Sequence, residues 1–153
     1  PDCRLELLDR RLDETQLQAT IKNVNVVLDG SDNFGTRFAV NRACVNNGKP
    51  LVSGAAIRYQ GQLTVFDARN SSSPCYACLY PEGDEELENC RSNGILAPLV
   101  GATGSLMAVE AIKLITGIGQ PLIGRLWQLD AKNADLHITK LKRDPACPVC
   151  RPH

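Results

Sequence analysis

Two Cys-x-x-Cys pairs, Cys75-Tyr-Ala-Cys78 and Cys147-Pro-Val-Cys150, constrain this chain more than any other feature of it. A tight turn with this spacing presents two sulfurs from one segment, and two such turns complete a tetrahedron around zinc. The pairs stand farther apart than in most zinc motifs, so a metal here would clamp a mid-chain loop onto the C-terminal tail. The same residues could instead serve as redox pairs, or as disulfides within or between the motifs; a metal is the better match to the spacing. Four thiolates leave no open coordination position, so the expected ion, zinc, is structural and not catalytic. Three further cysteines, Cys3, Cys44 and Cys90, bring the total to an odd seven. A secreted disulfide scaffold would be smaller, poorer in aliphatic core and usually even-numbered, so a reducing cytoplasm is the expected setting.

A chain of 153 residues with 43% hydrophobic and 22% charged residues suits one domain around one substantial core. Seventeen basic residues balance seventeen acidic ones, with no long block of either sign. That argues against a nucleic-acid or anionic-membrane surface. No uninterrupted apolar run approaches the roughly 18 residues of a membrane span. The start, Pro1-Asp2-Cys3-Arg4, has no methionine and no signal-like pattern, and is expected to enter a longer protein partway.

Along the chain, Leu5 to Leu8 reads as a short strand and Asp13 to Lys22 as a polar helix. Val24 to Asp29 reads as an apolar strand, the type buried on both faces of a parallel sheet. A helix follows from about Gly35 to Asn47, with Asp32 as its expected cap and Gly48 as its stop. Leu51 to Ile57, after Pro50, is the next strand, which makes a right-handed crossover unit. Gln60-Gly61 reads as a tight turn into an antiparallel neighbour, Gln62 to Asp67. Asn70 to Gly94 is loop-like. A helix from Thr103 to Thr116, stopped by Gly117, is expected to be buried on most sides. Gly101, Ala102, Gly104 and Ser105 would let its start approach another backbone closely. Arg125 to Asp130 and Leu136 to Leu141 alternate like a terminal antiparallel pair. The expected fold is α/β: one Rossmann-like domain, a mixed β-sheet with flanking helices.

The stretch "VVLDGSDNFGTR" (Val26 to Arg37) ends a greasy strand in two carboxylates, an amide, two glycines and an arginine. Packing alone explains it as a capped turn. The competing explanation is a site, because ligands of open α/β sheets bind beyond the carboxyl ends of strands. Arg37 and Asn41 are four residues apart and share a helix face. A carboxylate suited to Mg²⁺ beside an amide and a guanidinium is a reasonable set for nucleotide phosphates.

The order of motifs strengthens that second explanation. "LDGSDNFGTRFAVN", "PLVSGAAIRYQGQLTVFD", "CYACLYP", "ENCRSNG", "APLVGATGSLMAVEAIKLITG" and "CPVC" resemble, in sequence and order, the ThiF/MoeB/HesA family, bacterial relatives of ubiquitin-activating enzymes. The resemblance covers nearly the whole chain. It implies ATP- and Mg²⁺-dependent adenylation of the C-terminal Gly-Gly carboxylate of a ubiquitin-like sulfur carrier, for thiamine or molybdopterin synthesis. By the same resemblance, Asp32 and Asn33 match the Asp-Asn of the ATP–Mg²⁺ site, and Arg37 and Asn41 match the helix that buttresses it. Cys75, Cys78, Cys147 and Cys150 match the zinc ligands, and Gly101 to Glu110 the helix near which the carrier's tail runs. Cys90 resembles the cysteine that some members use to bond covalently to the activated carrier. A homodimer is implied as well, with a sulfur-donating desulfurase as a further candidate partner.

Taken on its own residues, Cys90 is a spare loop cysteine beside Arg91, whose charge favours the thiolate. The sequence departs from the family in one large respect: it has no Gly-rich strand–turn–helix loop to cradle phosphates. Gly101-Ala-Thr-Gly104 has the wrong spacing, and Gly117-Ile-Gly119 follows a helix. The chain is therefore expected to be the C-terminal portion of an adenylyltransferase, inactive alone. A zinc-stabilised carrier-binding or dimerisation module is the alternative. A nicotinamide oxidoreductase, with Asp29 or Asp32 holding a ribose, lacks the glycine fingerprint. His137, in a strand pattern, and the terminal His153 offer no catalytic histidine.

Overall fold

The crossover unit at the start of the sheet sets the frame for everything else. In the computed structural model, which describes residues 3–80 and 94–151, strand β1 (Val27–Asp29) runs parallel to β2 (Leu51–Ile57). Helix α2 (Phe34–Asn46) connects them. Its cap is Asn33 and not the expected Asp32: the helix begins at Phe34, so the cap position falls on the amide, whose Oδ1 accepts from the Thr36 N–H at 2.8 Å. Gly48, at φ +59°, ends the helix as expected. Helix α1 (Glu14–Lys22), capped by Asp13, packs beside α2.

Strand β3 (Gln60–Phe66) returns antiparallel to β2 through a two-residue turn, Arg58–Tyr59. The turn falls two positions before the expected one, and Gln60 and Gly61 pair inside the sheet. Strands β4 (Arg125–Asp130) and β5 (Asp135–Lys140) complete the order β1-β2-β3-β4-β5 among the described residues. This is the mixed sheet of the expected Rossmann-like fold.

Alternation gives the sheet two unlike faces. On the back face, Val52, Leu63 and Val65 pack against Met107 of α4 (Ala97–Thr116) and against Leu122. On the front face, Leu51 and Phe66 lie under α1, α2 and α3 (Tyr76–Leu79), with Ile21, Phe38, Ala43 and Tyr76. Cys44 belongs to this core, where burial, followed by the charge of Asp29, pushes its thiol up to about 12. It is an inert packing residue.

Several expectations fail for identifiable reasons. Leu5 to Leu8 forms no strand; it finds no pairing partner among the described residues, and Leu7 is 89% exposed. The strand of Val24 to Asp29 shrinks to its last three residues, and as a sheet edge it leaves Leu28 45% exposed. The long helix starts six residues earlier than expected. It buries one stripe (Leu99, Thr103, Met107, Glu110 and Ala111), while Val109, Ile112 and Ile115 stay exposed, because among the described residues it packs on the sheet by one face. By length and composition this helix would also suffice to cross a membrane, although Glu110 and Lys113 interrupt its apolar run. Its buried Glu110, which accepts from the Leu122 N–H at 2.7 Å and from Lys113 Nζ at 2.6 Å, marks it as a layer of this domain.

The close approach expected at Gly101 and Gly104 occurs on the strands. A Cβ at either helix glycine meets nothing within 4 Å, whereas one at Gly61 would lie 2.9 Å from Thr103 Oγ1. At Gly54 it would collide with the Met107 side chain, 2.9 Å from its Cγ. Gly54→Val should therefore cost about 1–3 kcal/mol by overpacking, whereas Gly101→Ala should stabilise by about 0.5–1 kcal/mol through helix propensity. Urea unfolding of both variants checks the pair; equal destabilisation would contradict the assignment of the helix–sheet contact to the strand glycines.

Candidate functional site

The two Cys-x-x-Cys turns meet. The Sγ atoms of Cys75, Cys78, Cys147 and Cys150 all lie within 4.8 Å of one another. Cys75–Cys147 is 3.6 Å, Cys78–Cys150 3.5 Å and Cys75–Cys78 4.0 Å. A disulfide needs about 2.05 Å. Four sulfurs at zinc's bond length of about 2.3 Å sit about 3.8 Å apart, so these spacings fit a tetrahedral ion and not a disulfide. The donor set is compatible with zinc.

The surroundings suit a metal as well. The Cys75 and Asp144 N–H groups each point at Cys78 Sγ, at 3.5 Å. Burial raises the Cys75 thiol and pushes Cys150 up to about 11. Burial also acts on Cys147, but the N–H groups of Cys150 and Val149 outweigh it and hold that thiol below its ordinary value. A cation must displace protons from the raised thiols, so metal affinity falls as pH falls. Arg143 is a second fastener between the same segments, donating to the carbonyls of Ser71 and Cys150.

The first Cys-x-x-Cys turn is continuous with the wall of a cleft. Helix α3 carries it, and the next residue, Tyr80, lies tilted against Tyr76 at 4.9 Å and edge-on to Phe34 of α2 at 6.1 Å. The Tyr80 hydroxyl donates to Gln62 Oε1 at 3.0 Å. Gln62 belongs to one register row across the sheet, Ala55–Gln62–Gln128–His137, which floors a cleft of about 720 Å³. Asp32, Asn33, Phe34 and Arg37 form the adjoining wall, beyond the carboxyl ends of the parallel strands.

Arg37 braces that wall. Its Nε and Nη2 both donate to the Ser31 carbonyl, at 3.0 and 2.5 Å, and its guanidinium lies 5.8 Å from the centre of the Phe34 ring. Asp29 Oδ1 accepts from the Ser31 N–H at 2.9 Å, closing the turn from the other side. Asp32 is thereby presented at the cleft on a turn held at both ends.

Of the residues singled out in the sequence, the structure brings Asp32, Asn33 and Arg37 together at the cleft and the four cysteines together at the cluster. Asn41 is not among the cleft residues: it is 1% exposed and turned toward Cys75 and Tyr76. Residues 101–110 line no part of the cleft either, because α4 covers the other face of the sheet. Cys90 lies outside the described residues. Gln62, Gln128 and His137 were missed, although the polar alternation of β3, β4 and β5 carried the signal; Tyr80, beyond α3, was missed as well.

Fold and site together define an α/β domain with a cleft at its strand ends, braced by a four-thiol cluster. Comparison gives the family: residues 1–149 match the ThiF family model, and the chain belongs to that family. It is 41% identical over 150 residues to the molybdopterin-synthase adenylyltransferase of Escherichia coli K12, covering 98% of this chain and 60% of that protein. It is 40% identical over 150 residues to the sulfur carrier protein ThiS adenylyltransferase of the same strain, covering 98% and 59%. The chain thus spans about 60% of the length of these relatives. The crystal structure of E. coli MccB shares the fold, with a TM-score of 0.74 at 18% identity, over 93% of this chain and 43% of that one.

Removing metal with a strong chelator should lower the melting temperature and accelerate amide exchange in residues 144–151. Complete metal loss with unchanged melting and exchange would show that Arg143 and packing suffice to hold the tail.

Proposed function

We propose that this chain supplies the acid–amide side of the nucleotide site in an ATP-dependent adenylyltransferase acting on a ubiquitin-like sulfur carrier. The observation that carries this reading is the cleft lined by Asp32, Asn33 and Arg37 at the strand ends, in a chain of the ThiF family. The relatives named for molybdopterin synthase and for the sulfur carrier ThiS support a sulfur-carrier substrate; a Gly-Gly terminus and a destination in molybdopterin or thiamine synthesis are part of the same proposal. In the reaction, a carboxylate oxygen of the carrier's last glycine attacks the α-phosphorus of ATP. The bond to the β-phosphate oxygen breaks, and pyrophosphate leaves.

Each residue has a role in that reading. Asp32 offers a hard oxygen ligand for Mg²⁺ at the cleft wall, and Asn33 holds the start of α2. Mg²⁺, when bound with the nucleotide, neutralises phosphate charge. Arg37 holds the Ser31 carbonyl and so fixes the direction in which Asp32 faces. The Gln62 and Gln128 amides and Tyr80 can hydrogen-bond an extended peptide tail across the floor. The four cysteines hold structural zinc. The phosphate-cradling Gly-rich loop is assigned to a segment outside these 153 residues, whose own motifs include none. Cys90 is the proposed covalent acceptor of the activated carrier. A cytoplasmic homodimer, supplied with sulfur by a desulfurase, completes the reading.

The test is pyrophosphate exchange stimulated by a Gly-Gly-ending carrier, run on the full-length protein that contains this chain. Asp32→Ala should reduce exchange by about 10²–10³-fold, the usual cost of losing one preorganised electrostatic group. Cys90→Ala should leave exchange intact and abolish the covalent carrier adduct on a gel. Carrier binding with no exchange in the wild-type protein would favour a zinc-stabilised docking module instead.

A further inference from the structure

Asn41 has both ends of its amide committed. Nδ2 donates to Cys75 Sγ at 3.6 Å, within the longer reach of a bond to sulfur, and Oδ1 accepts from the Tyr76 N–H at 2.9 Å. The side chain is 1% exposed, and an amide buried this deeply keeps its orientation because both halves are satisfied. It sits one helical turn beyond Arg37, the last α2 residue of the cleft wall, about 6 Å along the axis at 1.5 Å per residue, and is not itself among the cleft residues. Nothing in that position addresses a nucleotide.

We infer that Asn41 is a positioning residue of the metal centre: its N–H supports the Cys75 sulfur as a ligand, while its carbonyl holds the turn that carries that sulfur. The chemistry follows from charge. Four thiolates around a divalent cation leave a net charge of −2 in a partly buried site. N–H groups aimed at sulfur spread that charge and orient the ligand, as outer-shell partners of metal ligands do. Backbone N–H groups do this for Cys78; for Cys75 the donor is a side chain from another element. The consequence reaches the cleft. Asn41 and Arg37 stand one helical turn apart on α2, one holding the metal turn and the other the Ser31 carbonyl behind Asp32. The metal centre and the acidic turn are therefore mounted on one rigid helix.

This inference rests on the metal reading of the four-cysteine cluster, so the experiment reads the two separately. Zinc content of the wild-type chain tests the cluster. Chelator competition for zinc, and the sulfur-to-metal charge-transfer band of the cobalt(II) form, test Asn41. Asn41→Leu, close in shape and without donor or acceptor, should weaken zinc binding by about 10–100-fold and shift the cobalt band. Asn47→Ala removes the C-terminal cap of the same helix, whose Nδ2 bonds Gln18 and the Ala43 carbonyl, and touches no sulfur. It should lower the melting temperature and leave both metal readouts unchanged. Wild-type affinity and an unshifted band in Asn41→Leu would overturn the inference, as would an equal loss of affinity in Asn47→Ala. If Asn41→Leu fails to fold, Asn41→Ser, which keeps polarity but lacks the reach to sulfur, decides by the same two readouts.

Discussion

The convergence of four sulfurs from segments 72 residues apart is the constraint on which the rest of the structure depends. Besides it, Arg143, which donates to the Ser71 and Cys150 carbonyls, is a polar tie between the loop that carries the first two cysteines and the tail that carries the last. A structural zinc contributes roughly 10–16 kcal/mol in small peptides, against about 5–15 kcal/mol for the stability of a whole domain. Even a fraction of that outweighs a pair of guanidinium hydrogen bonds. The cluster therefore locates Tyr76 and Tyr80, the aromatic residues between and after its first two cysteines, and Tyr80 lines the cleft.

Tyr76 and Tyr80 show how the restraint is transmitted. Tyr76 packs edge-on against Phe38 at 5.3 Å and Phe66 at 6.1 Å, so the metal turn is seated in the front core. Tyr80 leaves that core and reaches the sheet floor at Gln62. One short segment thus joins ion, core and cleft. Aromatic pairs contribute about 0.5–1.5 kcal/mol each beyond area burial, which is modest, but they fix ring directions in a way that aliphatic packing does not.

Much of this was legible in the sequence. Strand β2 has the boundaries expected from its apolar run after Pro50, and the cysteine spacing foretold the cluster. What was not legible has physical reasons. The start of α4 carries no capping side chain: Leu96 occupies the cap position without a side-chain hydrogen bond, Pro98 lies in the first turn, and Gly101 reads as a break. Asn33 and Asp32 are equally good caps, and only the tertiary position of Phe34 selects between them. Asn41 shares a helix face with Arg37, which sequence spacing shows. Spacing does not show that the face passes from the cleft at one turn to the metal at the next. The row through Gln62 and Gln128 was hidden because its members come from two hairpins, β2–β3 and β4–β5, that are distant in sequence.

The two faces of the sheet explain why the cleft stays open. On the back, Gly54 and Gly61 remove the Cβ atoms that would hold α4 away, so the helix closes onto the strands and leaves no space there. On the front, α2 and α3 cover Leu51 and Phe66 and end at Phe34 and Tyr80. Beyond them the row of Ala55, Gln62, Gln128 and His137 is too polar to be covered by an apolar helix without stranding its amides, at roughly 1–3 kcal/mol each. The polarity of that row keeps packing off the floor, and the metal-held aromatic wall limits how far the open space extends. Among the described residues, a cleft bounded in this way needs no separate device to stay open.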